Sequence, residues 1–114
     1  MEINECRVPN GIVLELKGDL THVARREFID AVEAVRKKGC LHLILHMGGV
    51  RFLDSSGLGL LALVSQQFKE SQGKVSIAKP QPYVQEMLVL ANISKLIPVY
   101  DNEHDALAGS QDAA

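Results

Sequence analysis

One carboxylate and two hydroxyls stand side by side in Val50-Arg51-Phe52-Leu53-Asp54-Ser55-Ser56-Gly57-Leu58-Gly59, between an apolar run and a leucine-rich one. Asp and Ser at such a junction favour the start of a helix, because their side-chain oxygens accept from backbone N–H groups that the first turn leaves free. A serine there also presents its hydroxyl to those N–H groups and to the positive end of the helix dipole, where a negative group is welcome. The chemistry this spacing points to is phosphorylation of Ser55 or Ser56 without loss of the fold. The competing reading is a plain N-cap. Asp54 has two compatible roles: accepting backbone N–H bonds at the turn, and orienting the Ser56 hydroxyl or touching a kinase.

Other chemistries fit these residues less well. A serine hydrolase wants Gly two residues before its nucleophile, and Leu53-Asp54-Ser55-Ser56-Gly57 has none. The phosphate-cradling Gly-x-x-x-x-Gly-Lys-Ser/Thr pattern is absent, so a nucleotide hydrolase would lack its lysine and its magnesium ligand. Four histidines, His22, His42, His46 and His104, raise the question of a metal. His42 and His46 come together only on a helix; four residues along a strand they stand about 13 Å apart. One ion cannot take both at about 2.1 Å, so the expectation is strand histidines near the surface and no metal. Cys6 and Cys40 have no metal spacing and read as small apolar residues in or beside strands. No catalytic residues, cofactor or enzymatic activity are expected.

The elements that must position the serines follow from patterning. Ile3 to Val8 is a possible edge strand, Pro9-Asn10-Gly11 a turn, and Ile12 to Leu16 the returning strand. Gly18-Asp19-Leu20 ends that strand and Thr21 caps a helix over 22–38, with Ala24, Phe28, Val32 and Val35 at helical spacing and Gly39 closing it. Leu41 to Met47 is a central strand, and Gly48-Gly49 connects it to the serine junction. The serine helix starts buried and becomes amphipathic around Val64 and Phe68. Val75 to Ala78 is a strand, Pro82 opens a helix that Asn92 closes, and Leu96 to Tyr100 is an edge strand interrupted by Pro98. A short helix through Leu107 and a frayed tail over 108–114 complete the chain. The order implies an α/β domain over 1–114, a mixed β-sheet of about five strands with about four packed helices.

With 114 residues and 46% hydrophobic content, the chain suits one domain with one core. A net charge of −2 and no basic patch interleaved with aromatics argue against nucleic acid. Met1-Glu2-Ile3-Asn4-Glu5 lacks the order of a signal peptide, and no apolar run approaches the roughly 20 residues of a membrane span. A cytoplasmic protein without membrane insertion is expected.

Phe52-Leu53-Asp54-Ser55-Ser56-Gly57-Leu58-Gly59 resembles the signature of the STAS domain as found in bacterial anti-sigma factor antagonists of the SpoIIAA type, and the similarity extends from Val13 to Leu107. The resemblance implies the same α/β arrangement and a non-catalytic switch. Carried over by position, Ser56 is the residue phosphorylated by the partner, an anti-sigma factor and serine kinase with a histidine-kinase-like ATPase fold. A PP2C-like serine phosphatase would reverse the mark. Asp19, Thr21, Asp54, Ser55, Ser56, Gly57, Leu58 and Gly59 would form the partner-binding surface. An alternative within the family is a scaffold or accessory subunit of a stressosome or of a lipid or anion transporter. Two departures stand out: Thr21 where members often carry Asp, and His46 where they carry Asp or Asn. The resemblance puts both on the rim that carries the serine loop.

Overall fold

The computed structural model describes residues 1–9 and 11–111. In chain order the elements are β1 (Glu2–Val8), β2 (Gly11–Leu20), a 3-10 turn (His22–Ala24), α1 (Arg25–Lys37), β3 (His42–Leu53) and α2 (Ser55–Glu70). Then come β4 (Lys74–Ala78), α3 (Pro82–Leu90), α4 (Ile93–Leu96), β5 (Val99–Tyr100) and α5 (Glu103–Gln111). The five strands among the described residues lie in sequence order, with β1 antiparallel to β2 and every later pair parallel. A strand that returns parallel to its neighbour needs a crossover, which is why a helix follows β2, β3 and β4.

The alternation along each strand divides the core. Leu14, Leu16, Leu43, Leu45 and Ile77 meet Phe28 and Val32 of α1, Leu61, Val64 and Phe68 of α2, Val84 and Leu88 of α3, and Ile93 of α4. Val13, Ile44 and Ala78 face the other way and are covered by Ala106 of α5. The sheet is thus sandwiched, with most helices on one side and α5 on the other.

Several expectations change here. Among the described residues there are five α-helices, because Ile93–Leu96 winds into a short helix and leaves Val99–Tyr100 as the last strand. Asn92 does close α3 in the left-handed region, at φ 62°. α5 runs on to Gln111, past the expected end at Leu107; the remainder of the expected frayed tail, 112–114, lies outside the described residues. Gly48-Gly49 is no connection, since β3 passes through both glycines to Leu53. The reason is a close approach: a Cβ on Gly49 would lie 2.7 Å from Lys17 Cγ and 3.0 Å from the Leu16 carbonyl oxygen. Gly18 likewise does not end β2. It sits at φ +114° beside a register shift, so the strand kinks there and continues to Leu20.

Candidate functional site

β2 and β3 end together, at Leu20 and Leu53, which are paired in the sheet, and the serine helix begins against them. Asp54 is the N-cap: its backbone is extended, and Oδ1 accepts from the Gly57 N–H at 2.9 Å. The plain-cap reading of the serines is thereby corrected, because the carboxylate occupies that role. Ser55 and Ser56 are the first two helical residues, and both are exposed. Among the described residues neither hydroxyl has a hydrogen-bond partner, and no bond joins Asp54 to Ser56. The serines stand in the first turn, with backbone donors and the dipole behind them.

The loop is held from below. Gly57 is buried against Leu20, and Leu58 packs on the core. Gly59 is exposed, with open space where a side chain would go. Thr21 lies on the same rim and caps the 3-10 turn, its Oγ1 accepting from the Val23 N–H at 3.3 Å. Asp19 reaches the Arg51 guanidinium at 3.6 Å, an exposed pair worth well under about 1 kcal/mol. Asp19, Thr21, Asp54 and the following residues therefore share one edge of the molecule.

An aromatic pair beside this rim was not legible beforehand. Phe52 and Tyr83 stack with ring centroids 6.5 Å apart and planes 11° from parallel, each side chain well exposed. Phe52 belongs to the motif, but nothing in the spacing connects it to Tyr83. The contact exists because β3 extends beyond β4, and the start of α3 comes to lie along that extension. There the Gln81 side-chain N–H donates to the Gly48 carbonyl at 2.8 Å.

His46 is not on the rim. It pairs with Ala78 in the sheet, and its Nε2 lies 3.7 Å from Glu103 at the start of α5. The eight residues from His46 to Asp54 carry the chain about 26 Å along the sheet. At that separation the His46 imidazole makes no contact with Ser56. His42 is also misplaced by expectation: it is buried, 4% exposed, and bonded to the Ser76 hydroxyl at 2.9 Å. Among the described residues no three metal-ligating side chains converge. The Cys40 thiol is pushed up by burial, which keeps it protonated and unreactive. No helix among the described residues is long and apolar enough to cross a membrane.

The cap can be tested alone. Asp54→Ala removes one acceptor from the first turn and is expected to cost about 1 kcal/mol, a fall in Tm of roughly 5 °C. Asp54→Asn, which can still accept, should retain most of it. A thermal melt of both variants decides between a cap and a purely electrostatic role.

A model of the STAS domain matches residues 4–106. The anti-sigma F factor antagonist of Paenibacillus polymyxa is 29% identical over 97 residues, covering 84% of this chain and 83% of that one. Among solved structures, an anti-sigma factor antagonist from Mycobacterium paratuberculosis superposes with a TM-score of 0.87 at 22% identity, over 97% of this chain and 94% of that one. SpoIIAA in its unphosphorylated form gives 0.81 at 18% identity, over 99% of both chains. The phosphorylated form of the Bacillus cell fate determinant SpoIIAA gives 0.72 at 19% identity, over 96% of this chain and 99% of that one.

Proposed function

Because this chain belongs to the STAS domain family, we propose that it is an anti-sigma factor antagonist working as a non-catalytic switch on Ser56. The observation that carries this is the division of labour at the helix start. Asp54 serves the backbone, so the Ser56 hydroxyl is exposed and unengaged, ready for a kinase. Ser55 is equally exposed, and the preference for Ser56 rests on its position in the motif.

Unmodified, the rim from Asp19 to Thr21 and from Asp54 to Gly59 binds the anti-sigma factor, which is also the serine kinase, and a sigma factor is released. Phosphorylation adds about −1.5 to −2 charges. An interface built around a neutral hydroxyl must desolvate that charge without a prepared partner, and the complex dissociates. The helix N-terminus tolerates the phosphate within the domain itself, so the fold persists while the contact is lost. A serine phosphatase restores binding.

The test uses the cognate kinase and residue-level mass spectrometry. Ser56→Ala is expected to take up no phosphate while binding as the parent does. Ser56→Asp is expected to bind roughly tenfold more weakly, or about 1.4 kcal/mol. Phosphate found on Ser55 of the parent protein would reassign the switch, and unchanged binding by the phosphorylated parent would overturn it.

A further inference from the structure

We propose that the free edge of β1 is a docking surface for a second copy of this chain, joining the two sheets antiparallel about a two-fold axis at Cys6. The two edges of the sheet differ sharply. β5 is only Val99–Tyr100, directly after Pro98, and offers almost no ladder. β1 is extended from Glu2 to Val8, pairs on one side only, and is largely exposed. Its outward backbone groups follow from the hairpin. Val8 pairs with Gly11 across a two-residue connection, so that pair is hydrogen-bonded and the ladder alternates from it. Cys6 opposite Val13 and Asn4 opposite Glu15 then direct their N–H and C=O groups into β2. Those of Ile3, Glu5 and Arg7 face outward with no strand to receive them.

Charge selects the register. Two antiparallel copies in one sheet must match residues on the same face, so the axis passes through a residue. An axis at Glu5 sets Glu5 against Glu5 of the second copy, and one at Arg7 sets arginine against arginine; like charges directly opposite are destabilising. An axis at Cys6 sets Glu5 opposite Arg7 of the second copy and, by symmetry, Arg7 opposite its Glu5. Both residues have outward backbone groups, so these are the hydrogen-bonded pairs. The charges that guard an edge against indiscriminate pairing thus attract in this one arrangement. Among the described residues Arg7 has no carboxylate partner, whereas Glu5 already meets Lys38.

The same axis brings Cys6 opposite Cys6 in a non-hydrogen-bonded pair, with Cα atoms about 4.5 Å apart. A disulfide spans Cα separations from about 4.4 Å upward, so the exposed thiol is a built-in reporter of the register. The axis is remote from the serine rim, which stays open in both copies.

Sedimentation of the full chain from micromolar to millimolar concentration is expected to show a reversible monomer–dimer equilibrium. Adding diamide should convert the dimer to a disulfide-linked one, the two thiols giving two electrons and two protons to the reagent. Cys6→Ser should abolish that band and Cys40→Ser should leave it. Glu5→Arg alone should raise the dimer dissociation constant roughly tenfold, since two symmetry-related pairs turn from attraction to repulsion. Glu5→Arg combined with Arg7→Glu should restore it, which a general loss of stability in β1 would not do. A monomer at millimolar concentration overturns the proposal. So does a dimer, or a Cys6 disulfide yield, indifferent to Glu5→Arg.

Discussion

Gly57→Ala is expected to destabilise the domain by about 3 kcal/mol, a fall in Tm of roughly 15 °C, whereas Gly59→Ala two residues away should stabilise it slightly. A Cβ on Gly57 would stand 2.1 Å from the Leu20 carbonyl oxygen and 3.1 Å from its carbon. Those are backbone atoms at the paired end of β2, and Leu20 itself is fully buried, so neither side can yield cheaply. The helix must lift off the sheet, and the capping bond from Gly57 N–H to Asp54 must stretch with it. At Gly59 a Cβ meets nothing within 4 Å, and the residue is well inside α2. There alanine only removes the backbone entropy that glycine loses on folding, a gain of about 0.5–1 kcal/mol. Thermal unfolding of the two variants is the measurement. A Tm for Gly57→Ala within a few degrees of the parent would show that α2 does not depend on this approach, and the account of how Ser56 is positioned would fall with it.

That contrast shows what a sequence can and cannot convey. The junction of apolar strand, acidic and hydroxyl residues and leucine-rich helix is written in residue types, so the site and the α/β order were legible. Which of three polar side chains takes the cap is decided by backbone geometry, and Asp54 wins because its neighbours are already helical. The glycines misled in one direction. Gly18, Gly48 and Gly49 look like strand breaks, yet Gly18 marks a kink, Gly49 a close approach between β2 and β3, and Gly48 a place where the His46 ring lies close, all invisible until the neighbours are known. Extending β3 through them moved His46 away from the serines and brought Tyr83 onto Phe52. The burial of His42 was hidden for a related reason. Alternation assigns a residue to a face, but only α5, folding back from the far end of the chain, determines that this face is covered.

His42 makes that covered face sensitive to acid. Burial, and secondarily the positive charge of Lys74, lowers its pKa from 6.5 to about 4. Its Nε2 is engaged with the Ser76 hydroxyl, and its Nδ1 is buried with no hydrogen bond among the described residues. The imidazolium has two N–H donors, so protonation would leave one of them stranded in the interior. The unfolded chain meets no such obstacle and takes up its proton near pH 6.5. Between those values the unfolded state binds more protons than the folded one, so stability declines as pH falls from 6.5 toward 4. Above 6.5 both states are neutral and the contribution is fully present; below about 4 both are protonated and the loss has run its course. The slope attributable to this one group approaches 1.4 kcal/mol per pH unit, and its full extent is about 3 kcal/mol. Carboxylates elsewhere also titrate in acid, so a comparison isolates the histidine: urea unfolding of the parent and of His42→Gln at pH 7.5, 6, 5 and 4. The variant keeps a group able to bond Ser76 but cannot take a proton, and its stability should fall less steeply over the interval. Parallel curves for the two proteins would mean that His42 is protonated in the fold without cost, and that α5 leaves this face more open to water than its burial indicates.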